Sequence, residues 1–390
     1  MDSARSIALV FGTRPEAIKF GPVYRALLEA RDRFRPVVIV TGQHRELLHQ
    51  MLDVFDMTPA HDLDIMSADQ TPASLTAALI PRLQDVLKRE RPDMVMVQGD
   101  TTSTFAAALA AFFEQIPVAH LEAGLRTNTK YSPFPEEMNR RLTSQLVDLH
   151  LAPTKRARHN LQGEGVDPQS IFVTGNTIVD ALQWVAARAP ALADTPYAWV
   201  EDLPGRTILV TIHRRENLGV PFTSICLALL ELVQRYPDLS IVFPMHPNPR
   251  VRSAAQELLG ASPRIRLCEP PDYLIFVAVM RAVDLIITDS GGIQEEAPGL
   301  GLPVLVARES TERPEGIEAG VTKLVGVETG GIVAEASRLL DNASAYEAMS
   351  AGLNPYGDGA AAQRVVKALE YALGLRGDRP MDFDWQAALP

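Results

Sequence analysis

The chain has 390 residues, 46% of them hydrophobic and 22% charged, with a formal net charge of -11. That length exceeds one ordinary hydrophobic core and predicts two domains, and the composition excludes an intrinsically disordered chain. The acidic balance, with a pI near 5.3, argues against general nucleic-acid binding, which needs a surplus of Lys and Arg along the phosphate track, so any phosphate ligand has to be held locally.

Cys226 and Cys268 are far apart and lack Cys-x-x-Cys spacing, which predicts reduced thiols in a cytoplasmic protein. Residues 1–6 lead into an apolar run that is only strand-sized, and no stretch approaches the ~20 apolar residues of a bilayer crossing. No secretion signal and no membrane contact are expected.

In chain order, Ile7–Phe11 reads as a strand ending at Gly12, and Pro15–Arg31 has helical apolar spacing with Pro15 in a tolerated first-turn place. Val37–Thr41, Asp93–Val97, Pro117–Leu121, Leu149–Ala152 and Ile171–Thr174 continue the strand series, with Arg45–Phe55 and Ser103–Gln115 as helices. Residues 180–204 read as a helix and linker punctuated by Pro190, Pro196 and Pro204. A second series follows at Ile208–Thr211, Ser240–Phe243, Ile265–Cys268, Leu285–Thr288 and Pro303–Val306. Alternating strands and helices predict an α/β fold of two Rossmann-like domains facing across a cleft, residues 1–180 and 181–360, with a C-terminal segment of about 360–390 whose helix either half can receive.

Ligands of open parallel sheets bind beyond the carboxyl ends of strands, so the loops there carry the candidate chemistry. Gly12-Thr13-Arg14-Pro15-Glu16 joins a permissive turn, a helix N-terminus and a forked cation, which suits an anion such as a diphosphate better than a plain solvated turn. Asp100, in Gln98-Gly99-Asp100-Thr101-Thr102, is either a helix cap or a reactive acid. Glu122 ends the neighbouring strand, and Glu136 opens a further helix, where complementing the helix dipole is an equally natural role. His213 follows a strand of the second half and is placed to meet a phosphate or move a proton; His246 lies at another strand end and reads as structural or secondary, and His49, His61 and His159 as surface groups.

The sharpest feature is Asp289-Ser290-Gly291-Gly292-Ile293-Gln294-Glu295-Glu296. Ser290, Gly291 and Gly292 offer N–H donors and a hydroxyl to phosphate oxygens, whereas Glu296 would repel phosphate unless it held a ribose diol, which favours a nucleotide. Metal-binding spacings, a Walker pattern and a dinucleotide fingerprint in a strand context are absent, so no metal or cofactor is expected.

Segments 11–19, 98–102, 120–126, 132–137, 213–217, 289–298, 311–315 and 354–359 together resemble, in order, the bacterial non-hydrolysing UDP-N-acetylglucosamine 2-epimerases. The resemblance implies a glycosyltransferase-B-like fold, a cofactor-free interconversion of UDP-GlcNAc and UDP-ManNAc, and a homodimer. It also implies elimination of UDP through 2-acetamidoglucal followed by re-addition, supplying ManNAc for surface polysaccharides. Carried over position by position, Asp100, Glu122, Glu136 and His213 are the catalytic candidates. Arg14, Lys19, Pro271, Phe276, Ser290, Gly291, Gly292, Glu296 and Arg313 are the substrate-binding ones. Gln43, His44, Gln70, Glu137 and His246 match a regulatory nucleotide-sugar site, from which this chain departs at Asp69. A glycosyltransferase on the same fold and a nucleotide-sugar sensor without turnover are the competing readings.

Overall fold

A computed structural model describes residues 4–42, 45–65 and 70–388. The chain divides into two compact units, Met1–Ala181 with Tyr356–Ala388, and Leu182–Pro355.

The first unit is built on seven parallel strands, β1 (Arg5–Phe11), β2 (Phe34–Val40), β3 (His61–Asp62), β4 (Met94–Gln98), β5 (Val118–Leu121), β6 (Leu149–Ala152) and β7 (Ile171–Val173), in the order β3-β2-β1-β4-β5-β6-β7. The second has six, β8 (Arg206–Thr211), β9 (Leu239–Pro244), β10 (Ile265–Cys268), β11 (Leu285–Thr288), β12 (Val304–Val306) and β13 (Thr322–Leu324), ordered β10-β9-β8-β11-β12-β13. In each sheet the chain builds outward from its first strand to one side and then crosses back to build on the other. That leaves a switch point at β1/β4 and another at β8/β11, where loops diverge to opposite faces and open a crevice.

Helices cover both faces, so the central strands read as continuous apolar runs with no polar alternation. In β1, Ala8 and Val10 join a core with Leu79 and Leu83 of the helix Pro72–Glu90 and with Ala107, Ala110 and Ala111 of Thr102–Phe113, while Ile7, Leu9 and Phe11 are buried too. The alanines let that helix lie close to the sheet. Around β8, Ile208 and Val210 pack with Ile225, Leu229 and Leu232 of the helix Val220–Arg235.

Two strands lie outside the expected series. β3 has two residues, too few for any periodicity, and β13 is a three-residue edge strand in which Lys323 breaks the apolar run. The helix Pro72–Glu90, also not singled out from sequence, is started by Thr71, whose hydroxyl accepts the Ser74 N–H at 3.1 Å. Among the described residues no helix is long and apolar enough to cross a membrane.

The C-terminal helix Ala361–Ala372 belongs to the first unit and packs on the helix Arg14–Glu29. Asp180 fastens it: its carboxylate accepts the N–H groups of Ala361 at 3.3 Å and Ala362 at 2.8 Å, at the helix's positive end. Burial pushes this carboxyl up to about 6, against the lowering effect of those N–H groups. The folded state therefore binds the proton more tightly than the unfolded chain, so this residue's contribution is fully present below the unfolded value near 3.8 and is lost as pH rises through about 6. In urea unfolding at pH 4.5 and 7.5, the stability of wild type minus that of Asp180→Asn is expected to fall with rising pH, by roughly 2 kcal/mol; a pH-independent difference would show that Asp180 titrates normally.

Candidate active site

At the β1/β4 switch point, Glu122 follows β5 with a φ of 65°, a left-handed conformation that is uncommon for a side-chain-bearing residue and collects at functional sites. The residue is 8% exposed. Its carboxylate accepts from Lys19 Nζ at 2.5 and 2.7 Å, from Asn176 Nδ2 at 3.1 Å and from Gln98 Nε2. Lys19 reaches it because it stands on the buried flank of the helix that leaves β1.

Asp100 sits one residue beyond Gly99, whose φ of 70° turns the chain sharply out of β4. Its carboxylate pairs with Arg140, and its carbonyl accepts from Asn139 Nδ2 at 2.9 Å. Both partners come from the helix Glu136–Ser144, which Glu136 opens. Glu136 differs from the other two acids: its Oε2 is buried with no hydrogen-bond partner among the described residues. Arg14, half-exposed on the first turn of its helix, has no ion-pair partner among the described residues.

Glu137 is fully buried and spends its carboxylate on the N–H groups of Thr127 at 3.0 Å and Asn128 at 3.3 Å and on Arg140 and Arg141. Burial raises its carboxyl, but these N–H groups and guanidiniums outweigh it and hold the group below the ordinary carboxylate range. Gln70 donates to the Ile65 carbonyl at 3.3 Å. Gln43, His44 and Asp69 lie outside the described residues.

The second switch point is organised by a residue that sequence reasoning passed over. Asp289, wholly buried at the end of β11, faces the loop leaving β8. Its carboxylate accepts the backbone N–H of His213 at 3.0 Å, that of Arg214 at 2.9 Å and Asn217 Nδ2 at 2.9 Å, and it lies 3.1 Å from His213 Nδ1. Burial alone would raise this carboxyl; its hydrogen bond and charge interaction with His213, with the Arg214 and Asn217 donors, bring it below its usual value. This contact orients the His213 ring through its Nδ1 edge. The His213 ring stacks on the exposed His246 at 5.8 Å.

Ser290 precedes the short helix Gly291–Glu296, and its hydroxyl caps no backbone N–H. A Cβ on Gly291 would lie 2.5 Å from Nη1 and 2.7 Å from Cζ of Arg313. A larger residue at 291 would therefore push aside this guanidinium, which Glu295 and Glu312 hold at 2.6 Å each. Burial raises the Glu312 carboxyl, but Arg313, Arg214 and Arg308 overcome that and keep it well below the carboxylate range. Glu296 is buried and accepts the Tyr273 hydroxyl; Phe276 lies on the same helix, half-buried, and Pro271 just before that helix's cap Asp272.

The first unit thus gathers Lys19 and Glu122 in one ion pair and sets Asp100 and Glu136 on loop and helix joined through Asn139 and Arg140. The second gathers His213, Ser290, Gly291 and Arg313 around Asp289 and Glu312. Asp289 lay inside a quoted motif, but its role depends on β8 and β11 being neighbours, which no local pattern announces.

The family model described as UDP-N-acetylglucosamine 2-epimerase matches residues 26–370. The chain is 48% identical over 370 residues to UDP-N-acetylglucosamine 2-epimerase of Yersinia pestis, covering 93% of this chain and 98% of that one. It resembles the S. aureus MnaA–UDP co-structure at a TM-score of 0.89 and 46% identity, with 97% and 100% of the chains covered. It also resembles the crystal structure of UDP-GlcNAc 2-epimerase from Neisseria meningitidis bound to UDP-GlcNAc, at 0.86 and 45%, with 94% and 100% covered. A glycosyltransferase of kitacinnamycin shares the fold alone, at 14% identity and a TM-score of 0.63 over 95% and 99% of the chains. The chain belongs to the UDP-N-acetylglucosamine 2-epimerase family, an isomerase family, on a glycosyltransferase-B-like fold.

Asp289→Ala would leave two backbone N–H groups and the Asn217 amide without their shared acceptor. The expected loss is about 3 kcal/mol in the second unit, read in urea from the fluorescence of Trp184 and Trp199. A loss below about 1 kcal/mol, no more than one ordinary hydrogen bond, would show that the carboxylate is not the hub of these loops.

Proposed function

We propose that this member of the epimerase family inverts C2 of UDP-N-acetylglucosamine, giving UDP-N-acetylmannosamine, by eliminating and re-adding UDP. The C2 hydrogen of this sugar has no neighbouring carbonyl to acidify it, so direct removal and return is too costly. Elimination avoids the problem. A base takes the C2 proton, the C–H electrons form a C1=C2 double bond, and the C1–O bond breaks with its pair leaving on UDP. Protonation of 2-acetamidoglucal at C2 from the other face, with attack of a UDP oxygen at C1, gives the epimer.

The chemistry needs proton carriers at the sugar and donors at the departing diphosphate. The observation that carries the reading is the contrast between two carboxylates engaged by cations and Glu136, whose Oε2 has no partner among the described residues. Glu136 is assigned as the group with a lone pair free for a proton, and Asp100 and Glu122 as the other acid/base members, their charge held by Arg140 and Lys19. His213 and Arg14 are assigned to the diphosphate, Ser290, Gly291, Gly292 and Arg313 to its phosphates, Glu296 to the ribose and Phe276 and Pro271 to the uracil side. The S. aureus co-structure with UDP and the Neisseria structure with UDP-GlcNAc support the ligand class. No cofactor takes part. The reading extends to a cytoplasmic homodimer whose product supplies ManNAc for surface polysaccharides, with Gln43, His44, Gln70, Glu137 and His246 as a regulatory site.

Incubation with UDP-GlcNAc in deuterated water should give UDP-ManNAc carrying deuterium at C2, read by NMR; an unlabelled product would exclude the elimination route. Asp100→Asn is expected to abolish epimerisation while UDP binding, measured by calorimetry, stays within about twofold of wild type, since a neutral isostere removes a proton carrier and not a phosphate contact. Activity near the wild-type level would remove Asp100 from the acid/base set.

A further inference from the structure

Glu16 is the acid in the first loop to which no reactive role falls. It is 2% exposed. One oxygen, Oε2, accepts the N–H groups of Gly12 at 2.9 Å and Thr13 at 2.7 Å and the Thr13 hydroxyl at 2.8 Å. The other, Oε1, accepts the hydroxyls of Thr101 at 2.7 Å and Thr104 at 3.1 Å. The first three donors belong to the chain leaving β1, the last two to the chain leaving β4, and these strands are neighbours at the switch point. Thr104 passes the link on to the Gln98 carbonyl at 2.6 Å, and Thr101 starts the following helix by accepting the Thr104 N–H at 3.2 Å.

A capping box alone would place Glu at this position, but a capping Glu is ordinarily solvated and needs no partner on a second element. Here no cation pairs with the carboxylate among the described residues, and burial pushes its carboxyl up against the lowering effect of its donors. Keeping such a group inside a protein costs stability that a smaller polar residue would avoid. The compensation is geometric: two loops from neighbouring strands are fixed to the two oxygens of one rigid, planar group.

We propose that Glu16 is a positioning residue for epimerisation, clamping the loop that carries Arg14 to the loop that carries Asp100. The proposal rests on the assignment of those two residues to diphosphate and proton transfer. Because the clamp works through hydrogen bonds and not through charge, a neutral amide can replace it: the carbonyl oxygen of Glu16→Gln serves the Gly12 and Thr13 donors, and its NH₂ serves the two threonine hydroxyls, which have lone pairs free to accept.

The test measures kcat, KM for UDP-GlcNAc, Kd for UDP and Tm for wild type, Glu16→Gln, Glu16→Ala and Thr101→Val. Glu16→Gln is expected to keep kcat within about threefold. Glu16→Ala is expected to lose about 100-fold in kcat, the scale of an ångström-sized misplacement, and Thr101→Val about tenfold, each with a smaller rise in Kd for UDP as Arg14 shifts with its loop. Loss of Tm with wild-type kcat in both would overturn the proposal, making the clamp merely structural. A Glu16→Gln protein as inactive as Glu16→Ala would overturn it too, because charge or proton transfer would then be the function. Should Glu16→Ala fail to fold, Thr101→Val with its hydroxyl-restoring control Thr101→Ser decides the matter on kcat alone. A wild-type enzyme without epimerase activity, or Asp100→Asn with full activity, would strike the functional reading and not the clamp.

Discussion

Parallel strands cannot be joined by tight turns, so every strand end in this protein delivers a loop to the same edge of its sheet. At β1/β4 and at β8/β11 the neighbouring loops diverge to opposite faces, and there the backbone has no ladder partner to hold it. Buried carboxylates fill that gap. Glu16 ties the loops of the first switch point by accepting donors from both, and Asp289 ties those of the second by standing at the end of β11 and accepting donors from the loop after β8. A carboxylate suits the task because its two oxygens offer about four lone-pair directions in one plane, more than any hydroxyl or amide oxygen supplies.

This use of acids bears on the charge of the whole chain. A net charge of -11 would repel a nucleoside diphosphate if it were uniformly spread. At the second switch point the acids are instead turned inward. Glu312 meets Arg214, Arg308 and Arg313, and Glu295 meets Arg313, so these carboxylates neutralise and aim guanidiniums. The aim is what matters for Arg313, whose planar group lies against the bare Cα of Gly291. Arg308 is itself buried and reads as scaffold, whereas the His213 side chain is 40% exposed. Local order, and not overall sign, decides where an anion is welcome.

The architecture was legible because both sheets are buried on both faces, which turns their strands into apolar runs that glycine or an acid ends abruptly. Short elements escaped: β3 has no room for a period, and β13 is an edge strand interrupted by Lys323. The site was legible to the extent that its members follow strands directly, as Asp100, Glu122, His213 and Ser290 do. Asn176, Arg140 and Asp289 were not seen, since each acts through a neighbour distant along the chain but one strand or helix away in space. Glu16 stands in a recognisable capping position, but its link to Thr101 and Thr104 spans 85 and more residues of sequence and leaves no local pattern.

The three acids of the first unit are equivalent in sequence and unequal in structure, and the inequality constrains the chemistry. Glu122 has Lys19, Gln98 and Asn176 on its oxygens. Asp100 has one guanidinium partner and remains partly exposed, and the same Arg140 also lies 3.3 Å from Glu137. Glu136 Oε2 is buried with no donor among the described residues, an arrangement that costs free energy until a donor reaches it. A reaction that removes a proton from one face of a carbon and returns one to the other needs two carriers that are not simultaneously satisfied. Under the reading proposed above, the three acids would meet the sugar in different surroundings, with a lysine on Glu122, a guanidinium on Asp100 and no donor on Glu136 Oε2 among the described residues.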